Sequence, residues 1–131
     1  MKIHYLGTCS GTEPIPGMHH CSLVIEINSI YYWFDAGESC GYTAHTMGLD
    51  VTKTKALFVS HPHVDHVGGL PHLLFMMDKL LGRGHKKMIH ANTLEVFFPD
   101  LSLFYAVKTV ATSGGWGMLG FKLQEHQIRD G

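Results

Sequence analysis

Six consecutive residues, His61-Pro62-His63-Val64-Asp65-His66, bring three imidazoles and one carboxylate within reach of one another. Imidazole nitrogen and carboxylate oxygen are ligands that divalent zinc accepts. Residues two apart in extended chain point to the same side, so His61 and His63 can grip one ion together. Asp65 and His66 are adjacent, where the chain turns, and can aim at a neighbouring position. Pro62 restricts His61 to extended geometry, and Gly68 and Gly69 permit a sharp turn with close backbone approach. Two divalent ions about 3.5–4 Å apart share a water or hydroxide, lower its pKa toward neutrality and stabilise both attacking and leaving oxygens. Asp65 can orient that nucleophile and pass a proton to the leaving group. A phosphodiester or an acyl bond, each of which develops an oxyanion, suits such a centre.

A lone histidine is usually satisfied locally or solvated; the surrounding elements are what make this cluster a site. Lys55 to Ser60 is a mostly apolar run of strand length, the pattern of a buried central strand, and the motif follows it at once. A helix is expected after the motif, with Pro71 at its first position, Gly82 just past its last, and Leu70, Leu73, Leu74, Met77, Leu80 and Leu81 on one face. Upstream, Ile3 to Leu6 reads as a strand and Thr8 to Gly17 as a loop. Ser22 to Ile27 and Ile30 to Phe34 read as a hairpin turning at Asn28-Ser29, and Glu38 to Met47 as a helix stopped by Gly48. Downstream, Lys87 to His90 is expected as a strand and Leu94 to Phe98 as a short helix stopped before Pro99. Leu101 to Val107 fits helix or strand, Thr112 to Gly117 a loop, Met118 to Glu125 a strand, and Arg129-Asp130-Gly131 a turn. Strands first, then strand–helix alternation, argue for an α/β fold with mixed layers.

The 131 residues allow one domain at most. With 45% hydrophobic and 16% charged residues the chain is globular rather than disordered. A net charge of −1 gives no general polyanion-binding surface. The local basic cluster at Arg83, Lys86 and Lys87, beside His85, reads as a solvated turn. Three cysteines, Cys9, Cys21 and Cys40, without a C-x-x-C spacing, argue against a disulfide framework and for a reducing cytoplasm. Cys9 and Cys21 read as small core residues. The longest apolar run near the N-terminus, Ile30 to Phe34, is far too short to span a bilayer.

The motif resembles the signature of the metallo-β-lactamase superfamily. Leu6-Gly7-Thr8-Cys9-Ser10-Gly11-Thr12-Glu13-Pro14 resembles the opening of its ribonuclease Z-like branch, as do Phe34-Asp35-Ala36-Gly37-Glu38, Ser60 before the first histidine and Gly69-Leu70-Pro71 after the last. The resemblance implies one αββα-sandwich half over residues 1–131, a mixed sheet with flanking helices, and an absent C-terminal half that supplies further ligands. It implies zinc, with manganese or iron as alternatives, His61 and His63 on one ion, Asp65 and His66 on the other, and Asp65 as proton shuttle. Asp35 would support the site from behind, or is an ordinary turn aspartate. His19, His20, His72, His90 and His126 match no family ligand and are expected in surface or local structural roles. No long basic arm of the tRNA-processing members is visible, so the expectation is a ribonuclease Z-related phosphodiesterase acting on a small-molecule or nucleic-acid phosphodiester. Ester, lactone or thioester hydrolysis on the same centre is the alternative. A third reading is a non-catalytic half-module, whose bare sheet face would make it a homo-oligomer.

Overall fold

The computed structural model describes residues 1–83, 89–113 and 119–129. Six strands form one mixed sheet whose spatial order is the order of the sequence: β1 (Lys2–Gly7), β2 (Ser22–Ile27), β3 (Ile30–Phe34), β4 (Thr54–Phe58), β5 (Thr93–Phe98) and β6 (Lys122–Gln127). The first three strands pair antiparallel and the last four pair parallel. Between β2 and β3 the hairpin turns on Asn28 (φ 51°) and Ser29 (φ 63°). Positive φ at both central residues is what a two-residue turn needs to match strand twist.

Each parallel pair requires a crossover. Helix α1 (Cys40–Thr46) lies between β3 and β4; α2 (Val64–Val67), α3 (Leu70–Arg83) and α4 (Ile89–Asn92) lie between β4 and β5; α5 (Leu101–Thr112) lies between β5 and β6. Three successive right-handed crossovers that advance in one direction deposit their helices on one face of a sheet. The core sits on that face, where Val24, Trp33, Leu57, Val96 and Phe98 meet Cys40, Ala44, Leu73, Met77 and Phe104. Its one large polar group is satisfied: buried Trp33 donates from Nε1 to Thr54 Oγ1 at 2.9 Å, and Thr54 donates on to the Val51 carbonyl at 2.7 Å.

On the opposite face, residues paired across the strands fall in register: Leu23 with Phe34, Phe34 with Phe58, and Phe58 with Phe97. Phe34, Phe58, Phe97 and His126 stack ring on ring, with centroids 4.9, 4.6 and 4.6 Å apart, and all four are only half-buried. Ile3 and Tyr5 extend the same face and are exposed. An apolar sheet face of this kind normally packs against another layer.

Several expectations change. Leu94–Phe98 is strand, not helix: Leu94, Val96 and Phe98 alternate inward and are buried, and β4 supplies a parallel partner. The helix after the motif begins at Leu70 and runs through Gly82 to Arg83, so Gly82 does not end it. Ile89 and His90 open the short helix α4 rather than ending a strand. Leu101–Thr112 resolves as helix, because the Asp100 carboxylate accepts from the Ser102 amide at 2.8 Å and caps its first turn. The last strand begins at Lys122, four residues later than Met118. The basic residues Lys86 and Lys87, with His85, lie outside the described residues, as do most of the loop expected at Thr112–Gly117 and the turn at Asp130-Gly131.

Candidate metal centre

The site forms where β3 and β4 end side by side. Asp35 follows β3 and takes φ 58°, a left-handed conformation that aspartate adopts more readily than most residues. This turn is tied on three sides. The Asp35 amide donates to the Phe58 carbonyl at 2.8 Å, the Ala36 amide to His66 O at 2.7 Å, and the Gly69 amide to Ala36 O at 2.9 Å. The last contact demands glycine, since a Cβ at position 69 would sit 2.1 Å from the Gly37 carbonyl oxygen. The end of one strand thereby fixes the start of α3 and the helical turn that carries Asp65 and His66.

The Asp35 carboxylate accepts from the Ser60 amide (2.8 Å), the Ser60 hydroxyl (2.8 Å) and His66 Nδ1 (2.7 Å). A serine hydroxyl has one proton, and here it goes to Asp35. The 2.9 Å contact between Ser60 Oγ and His61 Nδ1 is therefore donated by the histidine. Both His61 and His66 thus carry their proton on Nδ1 and keep the Nε2 lone pair for a ligand. Metal-binding histidines are commonly held this way, by a carboxylate or other acceptor behind the ring.

His66 Nε2 lies 3.3 Å from Asp65 Oδ2. With the His66 proton given to Asp35, these are two acceptors facing each other with a gap that suits a cation. Two ligands at about 2.0–2.1 Å from a tetrahedral zinc stand about 3.4 Å apart. The rings of His61 and His63 (centroids 4.6 Å) and of His61 and His66 (3.9 Å) are neighbours. All four expected residues, His61, His63, Asp65 and His66, line one cleft with Ser10, Gly11, Thr12 and His20. The Asp65–His66 pair therefore fits divalent zinc, and His63 is the exposed one of the four expected ligands.

The loop after β1 closes on this cluster more tightly than the sequence indicates. A Cβ at Gly11 would meet Asp65 Cγ at 2.6 Å, so the loop backbone rests directly on the carboxylate. Two residues gain roles that spacing alone did not assign. Asp35 serves both expectations, as turn residue and as carboxylate partner of His66. Cys21 is half-buried rather than part of the core, and its sulfur, an Asp35 oxygen and a His66 nitrogen lie within 4.8 Å of one another. Burial first, then the charges of Asp35 and Asp65, push the Cys21 thiol up from its ordinary value, so it stays protonated at neutral pH. With both Asp35 oxygens already accepting hydrogen bonds, Cys21 is a neighbour of the centre rather than a member of its donor set.

The sequence pattern of the family described as Anti-Pycsar protein Apyc1 matches residues 1–110. A Ribonuclease Z of Treponema pallidum is 35% identical over 72 residues, which cover 55% of this chain and 23% of that protein. A Ribonuclease Z of Synechococcus sp. is 30% identical over 132 residues, covering 99% of this chain and 38% of the relative. The chain thus spans well under half the length of these relatives. Among solved structures, human tRNase Z, short form, superposes with a TM-score of 0.76 at 22% identity, covering 97% of this chain and 44% of that one. At that identity the likeness is one of fold.

Proposed function

This chain belongs to the Anti-Pycsar protein Apyc1 family and is a ribonuclease Z-like member of the metallo-β-lactamase superfamily; from that premise, we propose that the protein is a di-metal phosphodiester hydrolase. The single observation that carries this reading is the orientation network around Asp35 and Ser60. It presents the Nε2 lone pairs of His61 and His66 to a cleft that also contains His63 and Asp65. His61 and His63 would hold one ion, Asp65 and His66 the other, and residues beyond the matched span would complete each coordination shell. Zinc, when bound, would supply Lewis acidity and a water of lowered pKa. Asp65 would orient the attacking water and hand its proton to the leaving oxygen. The phosphodiester class comes from the Ribonuclease Z relatives, and it is carried here as part of the proposal.

The experiment is paired. Zinc content is measured by atomic absorption, and hydrolysis of bis(p-nitrophenyl) phosphate is followed beside a panel of ester, lactone and thioester substrates. We expect zinc retention and phosphodiester turnover, with both lost in His61→Ala. Zinc-free protein, or a His61→Ala variant unchanged in both measurements, would end this reading.

A second reading has its own observation. The half-exposed stack Phe34–Phe58–Phe97–His126 leaves one sheet face uncovered among the described residues. On this reading the chain is a non-catalytic half-module that self-associates through that face. Self-association in sedimentation velocity with neither zinc retention nor turnover distinguishes it from the hydrolase.

A further inference from the structure

We propose that His20 is a substrate-positioning residue of the cleft, donating from Nε2 to a non-bridging oxygen of the bound phosphodiester; this rests on the phosphodiester reading above. His20 lies in the connection between β1 and β2, remote in sequence from the metal motif, yet it lines the same cleft as His61, His63, Asp65 and His66. It is seated firmly. Its backbone bridges to Cys9, and the Cys9 amide donates to the His19 carbonyl at 2.9 Å. Two glycines make room for it: a Cβ at Gly7 would fall 1.9 Å from the His20 carbonyl oxygen. One at Gly37 would fall 2.6 Å from His20 Cβ and 2.5 Å from the Asp65 carbonyl oxygen. Gly37 therefore packs against both His20 and the backbone of a metal-motif residue.

Among the described residues the ring's Nδ1 is buried without a hydrogen-bond partner. Such atoms are rare, because desolvation is not returned by any bond. A buried lone pair left unmatched is the lesser penalty; an orphaned N–H is the greater. The proton therefore belongs on Nε2, on a ring whose residue lines the cleft. The Ser10 and Thr12 hydroxyls on the preceding loop bond each other at 3.2 Å and line the same wall. A phosphodiester has two non-bridging oxygens. The motif residues address one, and a donor from the β1–β2 connection is what the other requires.

The test uses zinc-loaded protein and inorganic phosphate as probe. Long-range ¹H–¹⁵N spectra of the imidazoles should show His20 as the Nε2–H tautomer, with its Nε2 resonance moving on phosphate addition. By calorimetry, His20→Ala should bind phosphate about 10- to 100-fold more weakly, the loss of one hydrogen bond to a charged group. His20→Gln, whose amide nitrogen overlays Nε2, should recover most of the affinity; His20→Asn, whose amide overlays Nδ1, should not. Zinc stoichiometry should stay unchanged in all three. A His20→Ala variant that binds phosphate within twofold of the parent overturns the proposal, as does a His20 ring that ignores phosphate with or without zinc. Loss of zinc in His20→Ala overturns it too, by making His20 a metal ligand. If phosphate binding responds to His20 but no phosphodiester is turned over, the functional reading fails and takes the substrate role of His20 with it, leaving His20 a phosphate-binding residue.

Discussion

At the scale of single residues, the centre is organised from behind. Asp35 holds His66, and through Ser60 it holds His61, so its carboxylate sets the orientation of two rings while touching neither proposed ion. Asp35→Asn keeps a residue that tolerates left-handed φ but removes the charge and one acceptor. We expect its fold by circular dichroism to match the parent and its zinc affinity, by competition with a chromogenic chelator, to fall about 10- to 100-fold. An unchanged affinity would mean that the rings are oriented by something other than this carboxylate. A second expectation concerns thiols. Burial pushes the Cys40 thiol up to about 12, so at pH 8 essentially none of it is thiolate and it should escape Ellman's reagent until the chain unfolds. Rapid modification of Cys40 in the folded state, mapped by peptide mass, would contradict its burial. The four metal-motif side chains were legible in the sequence because they are contiguous and follow a strand. The Asp35–Ser60–His66 network was not, since it joins three separated segments. Asp35 could be suspected only from the Phe34–Glu38 resemblance. His20 carried no signal: a lone histidine has no spacing to read.

At the scale of elements, the hairpin, the central strand and the long helix could be read because turn residues, apolar runs and helical spacing agree there. The misreadings have physical causes. Thr93–Phe98 mixes good helix formers, Leu94 and Glu95, with an alternation that only a parallel neighbour turns into a strand. The helical turn at Val64–Val67 is too short to show a period. The sequence reads Gly82 as a stop, yet among the described residues nothing lies within 4 Å of the Cβ it lacks. Gly82→Ala should therefore raise stability by about 0.5–1 kcal/mol, measured by urea denaturation; a decrease would place the helix end earlier. Asp100 offers a pH test. Its bonds to Ser102 hold the carboxyl below its usual range. A depressed folded-state pKa contributes stability above the unfolded value, and that contribution fades as pH falls through the folded one. Asp100→Ala should lower the melting temperature by about 2–5 °C at pH 7, and the gap should close under acid. A gap that persisted below the carboxylate range would assign the loss to something other than the cap.

At the scale of the whole molecule, one sheet face is covered by helices and, among the described residues, the other is not. No composition count could reveal that, because it follows from three crossovers sharing one hand and one direction. It was legible only through the resemblance, which implied half of a sandwich. Among the described residues no helix is long and apolar enough to cross a membrane, and the Phe34–Phe58–Phe97 stack is only half-buried. We expect the chain by itself to sediment as a concentration-dependent dimer or larger species in the micromolar range. Phe58→Ser should shift it toward monomer. A sharp monomer throughout that range would show the face to be tolerated bare.

The strand order carries one more consequence. Every strand lies beside the one synthesised before it, so each new strand meets a finished edge and never waits for a later neighbour. The residues that line the cleft, from Ser10 to His66, precede β5 and β6 in the chain. A nascent polypeptide emerging from the ribosome can bring those residues together while β5 and β6 are still being translated.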